Sequence, residues 1–66
     1  MENFILYTAG AFEWRQAGSY LTLEELKKDC IKNYGFPEDV LKSEDEFNNW
    51  LEGTEMKYEK IKVKVK

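Results

Sequence analysis

The sequence predicts an α+β fold, a small β-β-α-α-β domain in which a three-stranded sheet carries two short helices on one face. Three observations lead there. Aromatic and β-branched runs stand near both ends of the chain, at Phe4 to Ala9 and at Met56 to Val65. Two Ser/Thr-x-x-Glu signatures, Thr22 to Glu25 and Ser43 to Glu46, are each followed by apolar residues at helical spacing. The glycines and the single proline fall between these segments. The chain has 66 residues and no repeat or linker, and at that size only about 60% of the unfolded surface is buried. One core follows, and residues 1–66 read as a single domain.

Phe4-Ile5-Leu6-Tyr7-Thr8-Ala9 reads as the first strand and ends at Gly10. Phe12 to Gln16 alternates large apolar with polar side chains and halts at Ala17-Gly18-Ser19, which predicts a half-exposed second strand paired with the first as a hairpin. A single strand bent by a bulge at Gly10 is the competing arrangement. Thr22 and Glu25 form a capping box, so a helix begins there. Leu23, Leu26, Cys30, Ile31 and Tyr34 supply its apolar face, with Lys27, Lys28, Asp29, Lys32 and Asn33 on the wet side. Gly35 is placed to take the left-handed conformation, Phe36 to fold back on Ile31, and Pro37 to block continuation. Residues 37–42 allow about one helical turn. Ser43 then caps a second helix with Phe47, Trp50 and Leu51 on its inner stripe, stopped by Gly53. Met56 to Val65 is the last strand, with Ile61, Val63 and Val65 on one face and Lys60, Lys62 and Lys64 on the other. Met56 and Tyr58 have the parity of the lysines, which predicts a bulge or twist near Glu59.

Composition removes much chemistry. The chain has no histidine and one cysteine, so it lacks the parts for a Ser-His-Asp triad, a Cys-His pair, a zinc site or a disulfide framework. Cys30 sits in the apolar stripe of a helix, where a thiol has no base to activate it and reads as core. Glu44-Asp45-Glu46 lacks the alternating ligands of a calcium loop and suits the positive end of a helix. The glycines make neither a phosphate-cradling loop nor a dinucleotide fingerprint. The expectation is a protein that is not an enzyme and holds no cofactor or metal. The amino terminus shows no basic region followed by a long apolar run, and with the lone cysteine this points to the cytoplasm.

The formal net charge of -3 hides an asymmetry. Five lysines and one glutamate fall in the last ten positions, whereas residues 1–56 carry five basic against twelve acidic residues, a balance of -7. Such a body repels a phosphate backbone, so nucleic acid is an unexpected partner. The alternating lysines instead suit an edge strand protected from unwanted pairing. The most acidic stretch, Glu38 to Glu55, holds seven carboxylates against Lys42. It reads as a solvated helix face or as a surface that meets a basic partner.

Phe4, Ile5, Leu6 and Tyr7 place large apolar groups on both faces of the sheet, and two short helices cover one face only. If they take Phe4 and Leu6, Ile5 and Tyr7 face outward, or the reverse. An apolar patch left open in this way fits a partner or a second copy of the chain, through which it would form a homodimer. The alternative is that the loop at Gly18 to Leu21 and the strand aromatics cover themselves. The candidate partner-binding residues are therefore Tyr7 and Trp14 as aromatic anchors, unless they are core, with Glu44, Asp45 and Glu52 steering a basic surface toward them.

In its size, its hairpin followed by Gly18-Ser19-Tyr20-Leu21-Thr22-Leu23-Glu24-Glu25-Leu26, and its short acidic second helix, the chain resembles the small acidic accessory proteins of bacteriophages and mobile elements. That class includes anti-CRISPR proteins and other inhibitors of host defence. The resemblance implies a one-domain protein that binds and blocks a larger protein, and it carries no functional residues over. The function expected is thus a protein-binding inhibitor or modulator of a host protein in the host cytoplasm. The alternative is a small nucleic-acid-associated regulator using Lys60, Lys62, Lys64 and Lys66 with Tyr58.

Overall fold

A computed structural model describes residues 2–62. The elements run β1 (Glu2–Ala9), β2 (Trp14–Tyr20), α1 (Leu23–Tyr34), a 3-10 turn (Glu38–Leu41), α2 (Glu44–Gly53) and β3 (Met56–Lys62). The α+β class and the β-β-α-α-β order are those the sequence predicts. The sheet is antiparallel with order β2-β1-β3, so the first strand lies in the centre and the last pairs directly with it.

The helix ends follow the sequence closely. Thr22 Oγ1 accepts the Glu25 amide at 3.1 Å, and Glu25 Oε2 reaches back to the Leu21 amide at 3.3 Å, one residue before the expected target. Ser43 Oγ accepts the Glu46 amide at 3.3 Å. Gly35 takes φ 72°, the left-handed region where only glycine is unstrained, and the Phe36 amide donates to the Cys30 carbonyl at 3.3 Å. The Phe36 ring then turns into the core, 6.2 Å from the Phe47 centroid and 5.6 Å from that of Trp50.

Register decides which face is covered. Leu6 lies opposite Gly18 and Tyr58, Phe4 opposite Tyr20, and Thr8 opposite Met56. Cross-strand partners share a face, and every sheet residue packed in the core, namely Phe4, Leu6, Tyr20, Met56 and Tyr58, belongs to this one. From the helices come Leu26, Cys30, Phe47 and Leu51, with Phe36 and Val40 between them. The helices have taken Phe4 and Leu6. Ile5 and Tyr7 lie on the other face.

Five sequence expectations need correction. The second strand begins at Trp14, not Phe12, and runs through Ala17-Gly18-Ser19 to Tyr20. A register shift opposite Leu6 and Tyr7 absorbs Ala17, and Gly18 leaves room for the Tyr20 ring: a Cβ there would stand 2.8 Å from Tyr20 Cζ. The last strand has no bulge at Glu59, because its pairing with β1 runs unbroken from Met56 to Lys62. The parity conflict vanishes because both faces carry apolar side chains: Met56 and Tyr58 face the helices and Ile61 faces away. Val63 to Lys66, including Lys64, lie outside the described residues.

Lys27 is not on the wet side. Only 7% exposed, it places Nζ 2.7 Å from Glu44 Oε1 and 5.3 Å from the centroid of the Phe47 ring, so a cation pins α1 to the start of α2. Tyr34 is 40% exposed and outside the buried core, at the last residue of α1 before the turn at Gly35. Gly53 does not stop α2; it is the last helical residue. Thr54 Oγ1 donates to the Trp50 and Leu51 carbonyls at 2.7 and 3.2 Å, and Glu55 makes the reversal with φ 56°. The Glu55 carbonyl accepts the Ala9 amide at 3.0 Å, which starts the pairing of β3 with β1.

Candidate functional site

On the face opposite the helices, Tyr7 lies across from Lys57 on one side and Gln16 on the other, with Ala9 across from Trp14. This register gathers two aromatic rings and a lysine. Lys57 Nζ sits 5.4 Å from the Tyr7 centroid and 4.9 Å from the Trp14 centroid, and 3.5 Å from Glu59 Oε1. The attraction of a cation to a ring face is worth about 0.5–1 kcal/mol at an exposed site. Neither ring is core: Tyr7 is half-buried and Trp14 is 45% exposed. Ile5, at the centre of the face, is buried although it is not part of the helix-side core. This face is thus closed at Ile5 and open at Trp14.

Beside Trp14 an open groove of about 570 Å3 runs around the end of the sheet to the second half of α2. Its apolar lining is Ala9, Trp14, Leu51, Met56 and Tyr58, and its polar lining is Asn48, Glu52, Glu55 and Lys57. Phe12, at the hairpin tip, is fully exposed. The tip is tight: the Gly10 amide donates to the Glu13 carbonyl at 2.7 Å, and a Cβ at Gly10 would stand 2.6 Å from that oxygen.

Of the expected partner-binding residues, Tyr7 and Trp14 share the Lys57 cluster, and Trp14 and Glu52 line one groove. Glu44 and Asp45 stand at the opposite end of α2, about 12 Å of helix away from Glu52, and Glu44 is tied to Lys27. The acids therefore do not act as one set. Sequence reasoning named Glu55 only within the acidic stretch and Tyr58 only beside the terminal lysines, and it missed Lys57 and the groove floor that Leu51 and Met56 make with Tyr58. Only the parity of Met56-Lys57-Tyr58 hinted at them, and its meaning depends on which strand β3 pairs with.

Several other chemistry-bearing groups are engaged in the fold. Cys30 is fully buried, and burial, with the Asp29 charge adding to it, pushes its thiol up to about 11. Burial likewise raises the Tyr20 hydroxyl, helped by its hydrogen bond to Asp29, whose other oxygen accepts from Asn33. Lys60 pairs with Glu2 at 3.1 Å. Among the described residues, no three of His, Cys, Asp and Glu are grouped so as to hold a metal ion, and no helix is long and apolar enough to cross a membrane. Comparison of the chain with protein-family models, curated proteins and solved structures gave no match.

Proposed function

We propose that this protein is a non-enzymatic binding module that attaches to a larger protein through the sheet face bearing Tyr7 and Trp14, and that it acts as an inhibitor or modulator of the phage-borne type. The observation that carries the reading is the placement of Trp14 and Phe12, two large exposed rings that line one hollow at the hairpin tip, with Trp14 also lining the open groove. A chain of 66 residues has few large side chains to spare from its core, and contiguous exposed aromatics rimmed by polar groups mark interaction surfaces. Lys57, with Nζ near the faces of both Tyr7 and Trp14, biases the rings toward one orientation before contact, which lowers the ordering cost of binding.

The test is capture from a bacterial lysate with the immobilised chain, identification of the bound protein, and measurement of its affinity for alanine variants. Tyr7 and Trp14 lie outside the helix-side core, so Tyr7→Ala and Trp14→Ala are expected to fold, with cooperative thermal unfolding retained. Truncating a central anchor costs about 2 kcal/mol, roughly thirtyfold in Kd. Folded variants that bind the captured protein as tightly as the wild type would sink the sheet-face reading.

A further inference from the structure

The groove beside Trp14 combines an apolar floor with an unbalanced rim. Glu52 and Glu55 line it, and among the described residues neither makes an ion pair. Among the described residues the one cation on its lining, Lys57, is directed at Tyr7, Trp14 and Glu59. The floor of Leu51, Met56 and Tyr58 is continuous with the core, so it is fixed in shape, and the indole of Trp14 forms a wall. An occupant that matches these groups presents an aliphatic side chain to the floor and a cation to the two carboxylates. Arginine suits the rim better than lysine, because its planar fork can reach carboxylates while its face lies against an indole.

We infer that the groove is the specificity site of the binding face and takes a segment of the partner protein in which an arginine stands next to large aliphatic residues. This rests on the binding-module reading and adds the chemistry of the partner to it. A protein segment is the occupant because Ala9 and Trp14, which line the groove, also line the hollow at the hairpin tip beside exposed Phe12, and together these form a surface wider than a small cation can cover. The recognition divides in two. The aliphatic neighbours bury apolar area on Leu51, Met56 and Tyr58, and the arginine selects the partner through Glu52 and Glu55.

The experiment is a titration of the isotope-labelled chain, followed by backbone amide shifts, with three capped seven-residue peptides. The first has one arginine between two leucines, the second glutamate in place of the arginine, and the third serines in place of the leucines. With the first peptide, shifts are expected to concentrate at Trp14, Leu51, Glu52, Glu55 and Met56. The second peptide, and the first with a Glu52→Gln, Glu55→Gln double variant, are expected to bind at least about tenfold more weakly because charge-assisted contacts are lost, and the third by a similar factor because apolar burial on the floor is lost. Both glutamates are exposed, and the unchanged helix resonances of the variant check its fold. Equal binding of the arginine and glutamate peptides, undiminished binding by the double variant, or concentration-dependent shifts at the groove from self-association alone would each overturn the inference. If that happens while Tyr7→Ala and Trp14→Ala still release the captured protein, the binding module stands and only its arginine specificity falls.

Discussion

Cys30 shows how a single position separates packing from reactivity. Its thiol is fully enclosed between Leu26 and the helix end, with burial raising its pKa from an ordinary 9.0 to about 11. Thiol reagents are therefore expected to label the native chain far more slowly than the denatured chain, and equal rates would contradict the burial. The same shift predicts a pH effect. An acid whose pKa is raised on folding contributes stability that is complete below its unfolded pKa and is lost as pH rises through the folded one. Unfolding free energy should fall between pH 9.0 and about 11, less steeply in Cys30→Ala; Tyr20, raised in the same direction, contributes to the slope that remains. At the end of α2 two residues sit in the wrong order for their chemistry. Gly53 is helical, and a methyl group added to it would meet nothing within 4 Å, whereas Glu55 bears φ 56°. Gly53→Ala is expected to stabilise by about 0.5 kcal/mol and Glu55→Gly by about 1 kcal/mol. Thermal unfolding reads both as an upward shift in Tm, and a downward shift would show that the turn depends on the residues it has.

The hairpin is the element whose extent depends most on contacts beyond itself. Ala17-Gly18-Ser19 has the composition of a turn, yet the segment is strand because β1 offers it partners as far as Phe4 and the bulge at Ala17 restores the alternation. Gly18 is fixed there by the Tyr20 ring, which lies over it on the way to Asp29 of α1. Gly18→Ala must move the ring and release the hydroxyl, so a loss of about 1–3 kcal/mol is expected, as for overpacking at a closed site. Denaturant unfolding measures it. A neutral result would mean that Tyr20 has another place to go, and that its bond to Asp29 does not anchor β2 to α1. The helices depend less on such contacts. Thr22, Ser43 and Gly35 act within one turn of chain, and the capping bonds that their sequence implies are present.

For the whole molecule, charge is distributed so that the two ends of the sequence oppose each other. The described lysines of β3 are partly neutralised locally, Lys57 by Glu59 and Lys60 by Glu2, and the body of residues 1–56 carries -7. Association with DNA or RNA is expected to be weak and to disappear on raising salt from about 0.05 to 0.2 M, because it rests on few phosphate contacts. Binding that survives that rise, and is lost on replacing Lys60, Lys62 and Lys64 with glutamine, would favour the nucleic-acid alternative over the protein-binding one.

The α+β class, both helices with their caps, the central apolar run and the two-faced character of Phe4 to Tyr7 are local properties, and the sequence determined them: hydrophobic period and cap chemistry act over three or four residues. The candidate site is of another kind. Tyr7 and Trp14 could be named as large aromatics on alternating strands, but whether they are core or surface depends on which face the helices cover. Lys57 reaches them only because β3 pairs with β1, and Lys27 is buried only because α2 starts where Glu44 can meet it. Strand order and helix placement come from the cooperative burial of Leu6, Leu26, Val40 and Phe47 in one core. Contacts between residues far apart in the chain carry no local signal, so the groove with Glu52 and Glu55 was decided by the tertiary structure alone.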